Sequence, residues 1–259
     1  MKIERTPIVN HYFWTLLVRI VIVVFVTALF FTRREIITSF LTQPALESVK
    51  SSVYWPLVAM WAIQIVMMVK HLIPPKVYTM ALLKRKEDKL DLDPNYKRER
   101  LLQFVQKQNV RAWYVMLVWV VFNGVIGIFY LYGILKVADM FMISTIFFLC
   151  DHICILFYCP FQSHIMHNKC CVNCRIYDWG HFMMFTPMLF VKHFFSWTLF
   201  WLALIVLIRW EIVYARHPER FWQGSNRNLR CSNCNDKSCQ IKRILAKNAL
   251  QPAAIRHSF

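Results

Sequence analysis

The chain is poor in the residues that punctuate or charge a soluble fold. Across 259 residues there are five glycines and fourteen acidic residues. Acidic and amide side chains are scarce inside the long apolar runs, so a small transporter or channel has little positive support. Those runs do not alternate polar and apolar residues in short segments, which excludes a transmembrane β-barrel. No small-residue cleavage pattern follows the first run, so it reads as a signal anchor and not as a removed leader. No internal repeat or low-complexity segment stands out.

What the sequence does hold is apolar surface. Hydrophobic residues make up 58% of the chain and aromatic residues 16%. Long uninterrupted runs of them predict an all-α integral membrane protein with four or five transmembrane helices, a cysteine-containing cytoplasmic loop and a basic tail. Spans are expected at about 12–31, 53–73, 113–135 and 138–159, each close to the length of helix that crosses a bilayer. Residues 182–208 form a fifth apolar stretch, read either as one tilted span or as a re-entrant hairpin turning near Lys192 and His193 with help from Pro187. Residues 1–208 are thus the helical membrane domain and 209–259 the tail.

Basic residues orient the spans. Segment 74–111 carries ten Lys/Arg against five acidic residues, and 209–259 carries ten against three. The positive-inside bias places the first segment, the N-terminus and loop 160–181 in the cytoplasm. It pulls the tail there too, which a single fifth span would forbid. The formal net charge of +17 points to anionic lipid at that face, and nucleic acid is not needed to explain it. Pro74-Pro75 is expected to stop the second span and Asp93-Pro94 to start an amphipathic helix feeding the third, bland in role as a membrane-surface cuff. Gly124, Gly127 and Gly133 suggest close helix packing.

The nine cysteines fall in two groups. Cys150, Cys154, Cys159, Cys170, Cys171 and Cys174 lie around the end of the fourth span, and Cys231, Cys234 and Cys239 lie in the tail. Cys171-x-x-Cys174 and Cys231-x-x-Cys234 can each put two thiolates on one metal, as zinc or an iron–sulfur cluster requires. Cys170 and Cys239 are further thiols available to such a site, and His164, His167 and His181 supply imidazoles. Cys150-x3-Cys154-x4-Cys159-Pro160 echoes ferredoxin spacing without matching it, and ordinary packing explains Cys150 and Cys154 equally well. Thiol–disulfide exchange between Cys171 and Cys174 is a rival to metal. Three methionines, Met183, Met184 and Met188, support copper only weakly.

Asp151 and His152 sit within the fourth span, where an unpaired carboxylate is costly. Arg19 lies at a similar depth in the first span, so an Arg19–Asp151 pair is expected, with Arg19 available to a bound anionic or quinone-like ligand and Asp151 and His152 to proton transfer. The leading expectation is a membrane metalloprotein that moves electrons or reducing equivalents to a lipophilic acceptor at the cytoplasmic face. Its rival is a zinc-stapled scaffold for a protein partner or anionic lipid at that face.

Overall fold

A computed structural model describes residues 6–73, 81–85, 91–168, 170–234, 236–242 and 244. Pro74-Pro75 and the end of the tail lie outside the described residues. Among the described residues the chain is all-helical, without strands. Five helices are long and apolar enough to cross a membrane, which makes this an integral membrane protein.

The first is α1, Pro7–Thr32. Pro7 fits its first turn, and the Thr6 hydroxyl caps it by accepting from the Val9 N–H at 3.2 Å. Two short helices follow, α2 (Arg34–Phe40) and α3 (Ala45–Lys50), before α4 (Trp55–Leu72) returns. Next, α5 (Arg98–Leu131) is one continuous helix. Its first turns pack on neighbouring parts of the chain: Phe104 stacks on Trp222 with centroids 5.9 Å apart, and Arg111 donates to the Met166 carbonyl at 2.9 Å. Gly133, at φ +75°, turns the chain into α6 (Val137–Leu156), whose start is capped by the Asp139 carboxylate.

The fifth apolar stretch has different bounds from those the sequence suggests. Residues 182–208 turn near Lys192 and His193, as the hairpin reading expected, but the arm after the turn is a long helix that runs past residue 208. A short leg comes first, made of a 3₁₀ turn at Tyr177–Trp179, α7 (Gly180–Phe185) and a 3₁₀ turn at Thr186–Phe190. The chain turns at Val191–His193, and α8 then runs from Phe194 to Arg216, beyond the residue 209 at which the tail was expected to begin. Pro187 sits at the first turn of the second 3₁₀ segment, where its missing N–H costs nothing.

Contacts give the leg its direction. Trp119 Nε1 donates to the Thr186 hydroxyl at 3.1 Å, and eight residues on along α5 Gly127 meets the Phe190 ring. The leg therefore runs alongside α5 in the same sense. His193 Nε2 then donates to the Gln43 carbonyl at 2.8 Å, beside the α2–α3 turn. From there α8 comes back: Trp61 Nε1 donates to the Thr198 hydroxyl at 2.9 Å, and near the other end Trp210 Nε1 donates to the Arg175 carbonyl at 2.7 Å. The tail thus lies at the same end as loop 160–176 and the start of α1, where the Tyr12 hydroxyl donates to Asp236 at 3.1 Å. We call this the cysteine end.

Candidate functional site

The cysteine end is built on the last turns of α6. They present Cys150, Asp151, His152 and Cys154, and the helix gives out at Leu156 ahead of Pro160. Pro160 opens a π-helical turn, Phe161–Ile165, which places Cys159 at its N-terminal end. Arg175 then locks the loop to α8. Its guanidinium donates to both Glu211 oxygens, at 3.1 and 2.5 Å, and lies 4.2 Å from the Tyr214 ring centroid. Trp179 Nε1 donates to the same carboxylate at 2.8 Å.

These pieces line a half-open cavity of about 360 Å³, the sulfur chamber. Cys150, Cys154, Cys159, Cys171 and Cys174 line it, together with Trp119, Phe147, Tyr158, Phe161 and Met183. The Cys159 thiol is pulled down to about 7, first by a hydrogen bond from the Cys154 thiol. Burial opposes that shift, while the Gln162 and Phe161 N–H groups and the Lys242 ammonium assist it. Burial pushes the Cys171 thiol up to about 12 in spite of Lys242, and it raises Cys174 as well. Lys242 Nζ donates to Cys171 Sγ at 2.9 Å, and to the Cys154 carbonyl and Gln162 Oε1 at 2.7 Å each.

A second thiol group lies on the tail side. Cys170 and Cys234 pack with Val172 and Leu229. Cys170 is within electrostatic reach of Cys231 and Cys239, and Cys234 within reach of Cys170 and Cys239. Burial raises Cys170 and pushes Cys234 up to about 11. Lys84, fully buried, stands by Cys170, Cys171 and Cys174. All nine cysteines are free thiols.

The histidines go elsewhere. His164 is exposed and pairs with the Tyr158 hydroxyl at 2.5 Å. His167 is exposed at φ +49°. His181 is buried with its ring edge-on to His71, centroids 4.6 Å apart. None of the three lines the sulfur chamber. Among the described residues, no group of three or more His, Cys, Asp or Glu side chains is arranged to hold a single metal ion.

His181 belongs to a second cavity of about 320 Å³, the histidine chamber, between α1, α4 and α6. It is lined by Tyr12, Arg19, His71, Asp151, His152 and Asp178, among others. Arg19 Nη1 donates to Asp151 Oδ2 at 2.8 Å and to the Phe148 carbonyl at 2.6 Å. His152 Nε2 donates to the Tyr12 carbonyl at 2.8 Å. His71 Nδ1 is 2.9 Å from Asp178 Oδ1. Asp151, Ile155, Tyr177 and Gly180 line both chambers and form the partition between them.

Sequence reasoning paired the two CxxC elements with each other. The structure instead turns Cys171 and Cys174 toward Cys154 and Cys159, and turns Cys170 toward the tail. The Cys-Pro at Cys159 was the available signal for the first grouping. Lys84, Gln162 and Lys242 were missed, because nothing in their local sequence marks which side chains will face the thiols.

The described residues define an integral membrane protein of helices carrying a thiol-lined and a histidine-lined chamber at one end. No protein-family model, no curated protein and no solved structure matches the chain.

Proposed function

We propose that this chain transfers electrons or reducing equivalents at one face of a membrane, from the cysteines of the sulfur chamber to a lipophilic acceptor. One observation carries the reading. A single chamber wall joins five cysteines to aromatic side chains of the membrane bundle, so an apolar ring can sit against sulfur. A quinone is the acceptor class that fits, since it dissolves in lipid and takes up two electrons and two protons to become a quinol. Asp151 and His152, at and behind the partition, are the groups placed to exchange those protons, and Arg19 holds Asp151 in position. The basic cysteine end faces the cytoplasm and its anionic lipids in this reading.

The test uses the full chain in lipid nanodiscs, reduced with dithionite and freed of excess reductant. Adding a short-chain quinone should yield quinol, read by its ultraviolet spectrum. Cys159→Ser and Cys174→Ser should abolish the yield. A wild-type chain that stays reduced while the quinone stays oxidised would overturn the proposal.

A further inference from the structure

We propose that eight of the nine cysteines are the ligands of two iron–sulfur clusters, one held by Cys154, Cys159, Cys171 and Cys174 and the other by Cys170, Cys231, Cys234 and Cys239. The inference names the electron carrier in the function proposed above and rests on that reading for its purpose, though its test does not.

The first argument is the shape of the first thiol set. A space of about 360 Å³ lined by four thiols has room for a polynuclear core, which each cysteine grips at a different iron. Cys159 is followed by Pro160, the Cys-Pro ending common to bacterial cluster motifs.

The second argument is how the chain divides its sulfur. Cys170 and Cys171 are neighbours in sequence but serve different sets. Cys170 packs with Cys234, while the Cys171 thiol reaches Gln162 Oε1 at 3.0 Å and receives Lys242. One peptide unit therefore links the two sets, and each set then contains four thiols. Cys150 alone is left over, and it is exposed.

The third argument is charge, and it is independent of sulfur spacing. Lys84 is completely buried. Its ammonium donates one long bond, to the Cys174 carbonyl at 3.4 Å, and lies over the rings of Phe221 and Trp210 at 5.3 and 5.9 Å. Among the described residues, the groups it meets electrostatically are the thiols of Cys174, Cys170 and Cys171, with no carboxylate. A cation buried among neutral thiols calls for a counter-charge, because leaving it without one is costly. An anionic thiolate-bound cluster on either side supplies it. Lys242, half-buried, adds a second positive charge at the first set, donating to Cys171 Sγ at 2.9 Å.

The test is chemical. The full chain is purified anaerobically, or reconstituted with ferrous iron and sulfide. Iron and acid-labile sulfide should each approach about eight per chain, as two four-iron clusters require. Cys174→Ser and Cys234→Ser should each remove about half the iron, the double variant nearly all, and Cys150→Ser none. If a serine variant fails to fold, the dithionite-reduced wild type decides by electron paramagnetic resonance, where two magnetically interacting centres are expected. Zinc in place of iron, iron that the substitutions do not change, or a single centre would overturn the inference. Quinone reduction by an iron-free chain would overturn it too, while leaving the proposed function standing.

Discussion

Arg19 and Asp151, 132 residues apart in sequence, meet at 2.8 Å inside the bundle and fasten α1 to α6. The arginine is 7% exposed and the aspartate 21%. Removing one partner strands the other in a place water barely reaches. Arg19→Leu should therefore cost about 2–4 kcal/mol, and Arg19→Leu with Asp151→Leu should recover most of it. Chemical unfolding in detergent measures both, and equal losses in the single and double variants would contradict the account.

At Gly127, a methyl group in place of hydrogen would run into the Phe190 ring of the short leg. Gly124, one turn earlier, has nothing within 4 Å. Gly127→Ala should destabilise by about 1–3 kcal/mol through overpacking. Gly124→Ala should gain about 0.5–1 kcal/mol from helix propensity. Thermal melts of the two variants side by side should move in opposite directions.

In the iron-free chain, Cys159 should be the first thiol of the sulfur chamber to react as pH rises. Only the thiolate is nucleophilic, so a thiol lowered to about 7 gains reactivity across the neutral range. Cys171, at about 12, should stay inert well into the alkaline range. Peptide mass spectrometry after brief iodoacetamide pulses at a series of pH values reads both curves. Cys154→Ala removes the hydrogen bond that contributes most to the shift, and should move the Cys159 curve to higher pH.

Lys84→Met should act oppositely on two states of the protein. Burial lowers this lysine to about 8, so its charge is a burden in the empty protein. The iron-free variant should be more stable than wild type by about 1–4 kcal/mol. The iron-loaded variant should have lower reduction midpoints, because a cation that favours the electron-rich state has gone. Denaturant melts and potentiometric titration check the two halves separately.

The path of the leg and α8 fixes which parts share a side. In the iron-free chain, an impermeant thiol reagent outside sealed vesicles should label Cys231, which is exposed, and a cysteine introduced at exposed Thr42 in opposite vesicle orientations. Labelling of both positions in one orientation would refute the arrangement of α8.

Much of this was legible in the sequence, for reasons that differ by element. Four spans could be read because lipid demands long apolar runs, and length alone identifies them. The Arg19–Asp151 pair could be read because two opposite charges at matched depth have few other partners. The fifth stretch could be read only as two alternatives, of which the turn near His193 is the one present, while the length of α8 was not foreseen. The apolar residues 182–190 and 194–208 look alike in composition, and the break between them depends on Pro187 and on the His193 bond to Gln43, a contact 150 residues away in sequence. The sulfur grouping resisted for a similar reason. Spacing suggests which cysteines lie near each other, but the backbone at 170–171 decides which way consecutive side chains face.

The tie between Cys170 and the tail also sets an order of events during synthesis. Translation delivers residue 174 well before residue 231, and α8 must be laid into the lipid in between. Until then Cys170 has none of its tail partners, and Cys171 lacks the ammonium of Lys242. The sulfur-rich end is therefore the last region of the nascent protein to close.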